Sequence, residues 1–251
     1  MLVAENISVR FGTFTAVDSV SLSVAPGELL GLAGTNGAGK STLFAAIAGQ
    51  MQASSGRILF CGSDITRQSA HKRAAHGLAR TFQVPREFGS LTVLENLLAA
   101  APNEKSESML AAWMFRSAAA RAEKSWTRHA EEVLELLGLT HIRDLPAAGL
   151  SGGQKKLLEL ARIMMREPKV VLLDEPFAGV NPVLIGEIMK ALQTLSKRGI
   201  ALVVVEHHLQ ALKSLVSRLV VMDQGKILAD GDPAKVLDSE EVKTAYMGGV
   251  V

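Results

Sequence analysis

A glycine-rich loop between a predicted strand at residues 28–33 and a predicted helix at residues 41–49 reads Gly34-Thr35-Asn36-Gly37-Ala38-Gly39-Lys40-Ser41. Its glycines, lysine and hydroxyl residue have the spacing of a phosphate-binding P-loop. Backbone N–H groups of such a loop and of the helix that follows bind phosphates, and the helix dipole assists them. The pattern predicts that Lys40 neutralises β- and γ-phosphates and that Ser41 ligates Mg²⁺. An ordinary glycine turn is the alternative, which the flanking strand and helix disfavour.

The predicted nucleotide-binding set extends one residue into the helix. Its loop and helix members are Gly34, Thr35, Asn36, Gly37, Ala38, Gly39, Lys40, Ser41 and Thr42.

A second stretch that identifies the fold has two carboxylates directly after an apolar run, and it reads Val170-Val171-Leu172-Leu173-Asp174-Glu175-Pro176. Apolar β-branched runs here and at residues 200–205 are typical of buried parallel strands. Because ligands bind at the carboxyl ends of such strands, Asp174 is predicted to hold Mg²⁺ through water. Glu175 is predicted to orient or deprotonate the attacking water. An acid pair alone is a weak signal, and the glycine-rich loop strengthens it.

Composition sets the size and class of the protein. The chain has 251 residues, of which 48% are hydrophobic, enough for a buried core of one large or two small domains. Its 27 basic and 25 acidic residues are spread along the chain, so its net charge of +2 predicts no nucleic-acid partner. Cys61 is the only cysteine, which excludes an intrachain disulfide and favours a reducing compartment.

Hydropathy predicts a protein without its own membrane spans. The longest apolar runs fall far short of the roughly 20 residues that a membrane-spanning helix requires. Residues 1–10 alternate like a strand, and Glu5 interrupts the apolar stretch that an export signal would need. We therefore expect a cytoplasmic protein.

The order of predicted elements indicates an α/β fold with a helical insertion. Short strands at residues 3–10 and 16–24 predict an N-terminal antiparallel β subdomain, and residues 92–139 have helix-forming composition. A hairpin with its turn at residues 223–225 is predicted near the end of the chain. The expected organisation is one domain, with a core at residues 1–84 and 157–232, a helical insert at residues 85–156 and a tail at residues 233–251.

Residues 150–154 read Leu-Ser-Gly-Gly-Gln directly before a predicted helix. With this motif in place, the chain resembles the nucleotide-binding subunits of ATP-binding-cassette (ABC) transporters from about residue 2 to residue 248. The resemblance implies an ATPase with a P-loop NTPase (RecA-like) core that uses ATP and Mg²⁺. In that family the signature covers the γ-phosphate bound by a second subunit. The implied signature residues are Ser151, Gly152, Gly153 and Gln154.

The resemblance assigns three further residues by position. Phe11 matches the aromatic residue that stacks on adenine, where tyrosine is commoner. Gln83 matches the glutamine that reaches Mg²⁺ and the water, and His207 matches the switch histidine at the γ-phosphate. The implied catalytic set is Glu175, His207 and Gln83, and the implied magnesium set, partly through water, is Ser41, Gln83 and Asp174.

The alternative interpretation of His207 is as part of a metal site formed by Glu206, His207 and His208. It is disfavoured because adjacent side chains on a strand point to opposite faces.

One departure from the family concerns residues 178–182, which read Ala-Gly-Val-Asn-Pro where the family usually has an aspartate. Asn181 can donate and accept hydrogen bonds but carries no charge, so its contribution to coupling two sites is left open.

Several segments resemble one branch of the family, the ATPase subunits of importers for branched-chain amino acids and their relatives for urea and short amides. These segments are residues 77–83 (GLARTFQ), 91–96 (LTVLEN), 178–182 (AGVNP), 245–248 (AYMG) and the long insert between residues 100 and 128. The apolar stretch at residues 109–115 either contacts a permease or the bilayer, or packs on its own subdomain, which we favour. Val84 and Phe88 lie in the segment that receives the permease's coupling helix in this family.

The resemblance also implies partners. They are a second ABC ATPase subunit, identical or paralogous, together with transmembrane permease subunits and a separate solute-binding protein, at the inner face of the membrane. A soluble ABC ATPase acting on DNA, ribosomes or iron–sulfur assembly is the rival, which usually carries two cassettes or a long coiled coil. A regulator without turnover would lack Lys40 or Glu175, and both are present. The transported solute is not encoded in these motifs.

Overall fold

A computed structural model describes residues 1–81, 87–102 and 116–247, apart from the side chains of residues 116–122 and 247. The fold is α/β and divides into two compact units. Unit 1 comprises residues 1–83, 168–178 and 192–251, and unit 2 comprises residues 84–167 and 179–191. The predicted insert at residues 85–156 falls within unit 2, and the subdomain boundaries given above stay a prediction.

An antiparallel sheet begins unit 1, as the sequence predicts. Its four strands have the order β2-β1-β4-β5 and are β1 (Leu2–Phe11), β2 (Phe14–Val24), β4 (Ser55–Phe60) and β5 (Ser63–Asp64). Leu2 pairs with Val24 at one end of the β1–β2 ladder and Phe11 with Phe14 at the other. This hairpin therefore carries its two phenylalanines opposite each other at its tip.

The second sheet of unit 1 carries the predicted chemistry. Its order is β10-β9-β3-β8-β7-β6, with strands β3 (Leu29–Gly34), β6 (Leu78–Arg80), β7 (Val170–Asp174), β8 (Ala201–Val205), β9 (Arg218–Asp223) and β10 (Lys226–Gly231). All neighbouring strands run parallel except the β9–β10 hairpin. Strands β3, β7 and β8 are buried along their whole length, which explains their continuous apolar sequences. The strand order brings the carboxyl ends of β3, β8 and β7 side by side.

In the described part of unit 1, five helices lie wholly within the unit. They are α1 (Lys40–Ala48), α2 (Ala70–Ala75), α7 (Leu209–Leu215), α8 (Pro233–Asp238) and α9 (Glu240–Met247). Helix α1 is central to the core, because Leu43, Phe44 and Ile47 belong to a buried apolar cluster with residues of both sheets. Apolar burial of this kind fixes the helix that follows the glycine-rich loop.

Unit 2 is helical in the part that the structure describes. It contains α3 (Val93–Ala100), α4 (Arg116–Leu136), the 3₁₀ turns Thr140–Ile142 and Ala147–Gly149, α5 (Gly152–Met164) and the first turns of α6 (Pro182–Lys197). Thr92 and Glu95 form a capping box at the start of α3. The side chain of the fully buried Asn96 bonds both the N–H and the carbonyl of Phe88, so α3 fixes this segment. Among the described helices, none is both long and apolar enough to cross a membrane.

Candidate functional site

The glycine-rich loop connects β3 to α1 and depends on two glycines. Gly39, the N-cap residue of α1, has φ +97°, and a Cβ atom there would collide with the carbonyl oxygen of Ala16. Gly34 has φ +147°, and a Cβ atom would collide with the carbonyl oxygen of Met222. Only glycine accepts both the backbone conformation and the close approach. The loop is therefore packed between β2 and β9 with its N–H groups at the start of a helix.

Lys40 lies over this loop rather than in solvent. Its Nζ donates to the carbonyl oxygens of Gly34 at 2.8 Å and Thr35 at 2.9 Å, and the residue is 6% exposed. Burial lowers the pKa of the Lys40 ammonium, and the charges of Glu175 and Asp174 oppose this shift. The ammonium is thus placed at the loop, close to both acids, where an added anionic phosphate would strengthen its charged form.

Asp174 ends β7 as a buried acid with a cationic partner. Its Oδ2 atom accepts from Nη2 of Arg80 at 2.7 Å, and its backbone N–H donates to Oγ1 of Thr81 at 3.0 Å. Arg80 also donates to Gln50 at 2.5 Å, and its guanidinium lies 5.8 Å from the centroid of the Phe44 ring. These contacts fix the carboxylate beside α1.

Glu175 and His207 are brought together by the pairing of β7 with β8. Asp174 pairs with Val205, so the residues after each strand end are neighbours. Oε1 of Glu175 lies 3.2 Å from Nε2 of His207, and the Glu175 N–H donates to the Val205 carbonyl at 2.9 Å. Glu175 has φ +49°, a left-handed conformation that is uncommon outside glycine. A carboxylate and an imidazole therefore form a hydrogen-bonded pair at the end of the sheet.

The neighbours of His207 are occupied by backbone contacts. Glu206 is 4% exposed, and its carboxylate accepts from the N–H groups of Phe177 at 2.6 Å and His207 at 3.2 Å. Burial raises the pKa of the Glu206 carboxyl, and its hydrogen bonds to backbone N–H groups act in the opposite direction. Nδ1 of His208 accepts from the Ala211 N–H and caps α7. In the described residues, no group of three His, Cys, Asp or Glu side chains is arranged to hold a metal ion.

The predicted adenine-stacking residue lies at the β1–β2 tip. Phe11 is 50% exposed and Phe14, its partner across the hairpin, is 63% exposed. Directly paired residues of an antiparallel ladder point to the same face. Strand β2 also reaches the glycine-rich loop, since Ala16 lies against Gly39. The tip can therefore present an aromatic ring beside the loop.

The signature residues form the N-terminus of α5 in unit 2. Ser151 is the N-cap, and its Oγ accepts from the Gln154 N–H at 3.4 Å while Oε1 of Gln154 accepts from the Ser151 N–H at 2.9 Å. A Cβ atom on Gly153 would lie 2.7 Å from Cδ1 and 2.9 Å from Cβ of Leu184, so a larger residue would have to displace this side chain. Helix N-termini of this kind favour anions.

Asn181 has a local role that the sequence left open. Its Oδ1 accepts from the N–H groups of Val183 at 2.8 Å and Leu184 at 3.3 Å, so it caps the start of α6. Asparagine and aspartate are equally good N-caps. The cap therefore explains how asparagine can stand where the family usually has aspartate.

A family model described as ABC transporter matches residues 17–178, more than half of the chain. The chain belongs to the ABC transporter family. This confirms the resemblance drawn from the signature and identifies an ATP-hydrolysing subunit of an ABC transporter with a P-loop NTPase fold.

Individual relatives of this ABC transporter subunit extend over its whole length. It is 36% identical to a probable branched-chain amino acid transport ATP-binding protein LivG of Archaeoglobus fulgidus, covering 99% of this chain and 95% of the relative. It is also 36% identical to the lipopolysaccharide export system ATP-binding protein LptB of Haemophilus influenzae, covering 99% and 97%. A crystal structure of the ADP conformation of an ATP-binding cassette of an ABC transporter superposes with a TM-score of 0.84 at 36% identity, covering 99% and 98%.

The donor atoms of this ABC subunit suit Mg²⁺. The hydroxyl of Ser41 and the carboxylate of Asp174 are oxygen ligands, and Mg²⁺ prefers one or two protein oxygens with phosphate oxygens and water. Ser41 is the second residue of α1 and Asp174 ends β7, and the negative charge of Asp174 favours the ammonium form of Lys40. Gln83 and Val84, together with residues 109–115 and 248, lie outside the described residues.

Sequence reasoning missed Arg80 and Glu206. Arg80 contacts the predicted site residue Asp174, and Glu206 contacts Phe177, two residues after Glu175, each across a long separation along the chain. The available signal was a charged side chain at the end of an apolar strand, because burial of such a group requires a partner.

Proposed function

We propose that the chain is the motor subunit of an importer for branched-chain amino acids or a related small amide or amino-acid solute. The observation that carries this proposal is the full-length likeness to relatives named for branched-chain amino acid transport, at 36% and 38% identity. The branch-like segments at residues 77–83, 91–96 and 178–182 support it. Lipopolysaccharide export is the second candidate, because the LptB relative is equally similar at 36%.

The test is solute uptake in the source organism. Deletion of the gene is expected to abolish uptake of radiolabelled leucine or of a labelled short amide, with rescue by wild type but not by Glu175→Gln. Intact uptake of both solutes with a defect in outer-membrane lipopolysaccharide would favour the export candidate instead. Measuring both phenotypes in one deletion strain separates the two functions.

In the proposed hydrolytic site, each residue acts by position and charge. The loop N–H groups and Lys40 bind the phosphates, Ser41 and Asp174 hold Mg²⁺, and Phe11 stacks on adenine. When bound, Mg²⁺ neutralises phosphate charge during transfer. Glu175 orients or deprotonates the water, and its 3.2 Å contact with His207 supports this role by holding the carboxylate. Gln83 is proposed to complete this set.

The proposed working form is a dimer of two cassettes. The loop, the acids and His207 belong to unit 1, and the signature belongs to unit 2. In the proposed sandwich, the signature of one subunit binds the ATP held by the other subunit, so ATP favours the closed state. Permease subunits at the inner membrane face would receive this motion, with a solute-binding protein delivering the solute.

Glu175→Gln tests the hydrolytic site and the dimer together. We expect wild type to hydrolyse ATP, and the variant to be inactive but to elute as a dimer in MgATP on size-exclusion chromatography. Hydrolysis by the variant at the wild-type rate would contradict the role of Glu175. Activity of wild type without any dimer would contradict the composite site.

A further inference from the structure

The catalytic turn after β7 has a backbone conformation that needs support. Glu175 has φ +49° and is followed by Pro176, so a non-glycine residue occupies the left-handed region in front of a proline. Conformations of this kind cost free energy and persist only where surrounding contacts determine them. The contacts that hold this turn therefore decide where the Glu175 carboxylate points.

Three hydrogen bonds hold the turn. The Glu175 N–H donates to the Val205 carbonyl at 2.9 Å, and the Ala178 N–H donates to the Glu175 carbonyl at 3.2 Å. The Phe177 N–H donates to Oε1 of Glu206 at 2.6 Å, the shortest of the three. Glu206 is the one side chain among these partners, and it comes from the end of β8.

The same carboxylate also holds the histidine segment. Its Oε2 accepts from the His207 N–H at 3.2 Å, so one buried group joins the turn after β7 to the segment after β8. Glu175 and His207 project from these two segments and meet at 3.2 Å. A carboxylate suits this bridge because both oxygens accept, whereas an amide offers one acceptor and one donor group.

We propose that Glu206 is a positioning residue that sets the contact between Glu175 and His207 by accepting backbone N–H groups from both segments, Phe177 after β7 and His207 after β8. Glu206 is buried, and its role is to act through Glu175 and His207 rather than on the substrate itself. This inference rests on the roles proposed above for Glu175 and His207. It adds a positioning residue to the proposed catalytic set of Glu175, His207 and Gln83, and its removal should slow hydrolysis without weakening ATP binding at the loop.

Glu206→Gln tests the bridge, because the amide keeps the shape but turns an NH₂ group toward backbone N–H donors on one side. We expect kcat to fall by about tenfold or more. The Kd for MgATP, measured by equilibrium dialysis, should stay within about twofold, since the loop contacts are intact. A purely structural role would instead lower the melting temperature and ATP affinity together. Unchanged kcat in a folded Glu206→Gln protein would overturn the proposal.

Glu28→Gln is the matched control. Glu28 also accepts a backbone N–H in a turn, from Ala25 at 2.7 Å, but it has no contact with Glu175 or His207 among those described. We expect wild-type kcat from this variant. An equal loss of kcat in both variants would show a general effect of removing a carboxylate that accepts a backbone N–H and would refute the bridge.

Glu206→Asp covers the case in which the glutamine variant does not fold. It keeps the charge but withdraws the carboxylate by one methylene, so it cannot reach both N–H groups, and we expect the same loss of kcat. Wild-type kcat from this variant would also overturn the proposal.

Combining Glu206→Gln with His207→Ala tests the mode of action. Residues that act as a unit show non-additive losses, so the double variant should be no slower than the slower single variant. Multiplied losses would overturn the bridge.

Glu175→Gln separates the two levels of inference. If Glu175→Gln remains active, the proposed hydrolytic site fails. If it is inactive while Glu206→Gln retains wild-type kcat, only the bridge fails.

Discussion

Arg73 is a buried cation at the end of the helix that follows the glycine-rich loop. It is 1% exposed, and its guanidinium donates to the carbonyls of Ala46 at 2.8 Å and Ile47 at 2.6 Å in the last turn of α1. It donates further to the carbonyls of Thr66 at 2.8 Å and Gln68 at 3.0 Å. Carbonyls at a helix C-terminus lack intrahelical partners and carry negative partial charge, which favours a cation there.

Arg73→Met should lower the free energy of unfolding by about 4 kcal/mol. A hydrogen bond to a charged group contributes about 1.5–3 kcal/mol, so four give about 6–12 kcal/mol gross. Burial of the cation offsets several kcal/mol of that sum, and it also lowers the pKa of the guanidinium. Methionine fills much of the volume but leaves buried carbonyls without the donor. The remaining loss matches the larger single-residue effects seen on removing a buried polar partner.

Thermal unfolding followed by circular dichroism measures this loss. At about 2–4 °C per kcal/mol for a chain of this size, the melting temperature should fall by about 8–16 °C. Arg73→Lys keeps the charge with fewer well-directed donors and should lose about half as much. Arg57→Met is the control, because this exposed arginine contacts only the exposed Glu5 among its described partners, and no measurable change is expected. A fall of less than about 3 °C in Arg73→Met would refute the reasoning.

Three further predictions concern the site and its surroundings. Asn181→Ala removes the N-cap of α6 and should lower the free energy of unfolding, measured by urea denaturation, by about 1 kcal/mol. Asn181→Asp should leave it unchanged, and equal losses in both variants would exclude capping. Gly39→Ala forces a Cβ atom against the Ala16 carbonyl and should weaken MgATP binding at least about tenfold by calorimetry, so retained affinity would contradict the packing. Arg80→Met removes the cation that contacts Asp174 and would otherwise repel Mg²⁺. The Mg²⁺ concentration for half-maximal ATP binding should therefore fall by roughly threefold. A higher Mg²⁺ requirement would mean that Arg80 orients the carboxylate for the metal.

Much of the second sheet was predictable because its strands β3, β7 and β8 are buried along their whole length. The apolar runs predicted as strands, one beginning at residue 170 and one at residues 200–205, correspond to β7 (Val170–Asp174) and β8 (Ala201–Val205). The hairpin turn was also predictable, and Gln224 and Gly225 have φ +46° and +81° as a tight two-residue turn requires. Continuous apolar runs and turn residues are local signals, so a single sequence carries them.

Strand order and long-range polar contacts were not predictable in this way. No local pattern places β6 at the sheet edge or β8 between β3 and β7. The bridge from Glu206 to Phe177 and the contact of Arg73 with the end of α1 each join segments that are about 30 residues apart, the bond to Phe177 spanning 29 residues. Their only trace in the sequence is a charged residue beside apolar ones, which does not identify a partner.

The strand order explains why Glu206 can act on two predicted catalytic groups at once. In a parallel sheet, neighbouring strands deliver their carboxyl ends to one edge, and the pairing of Asp174 with Val205 places the next residue of each strand in contact range. Glu175 and Glu206 are those next residues, and their roles differ by environment. Glu206 is buried and bonded to backbone N–H groups, whereas Glu175 reaches His207 at the more exposed edge. Two acids at equivalent strand ends can therefore have different roles. Glu206 holds the backbone, and Glu175 is left to face the attacking water.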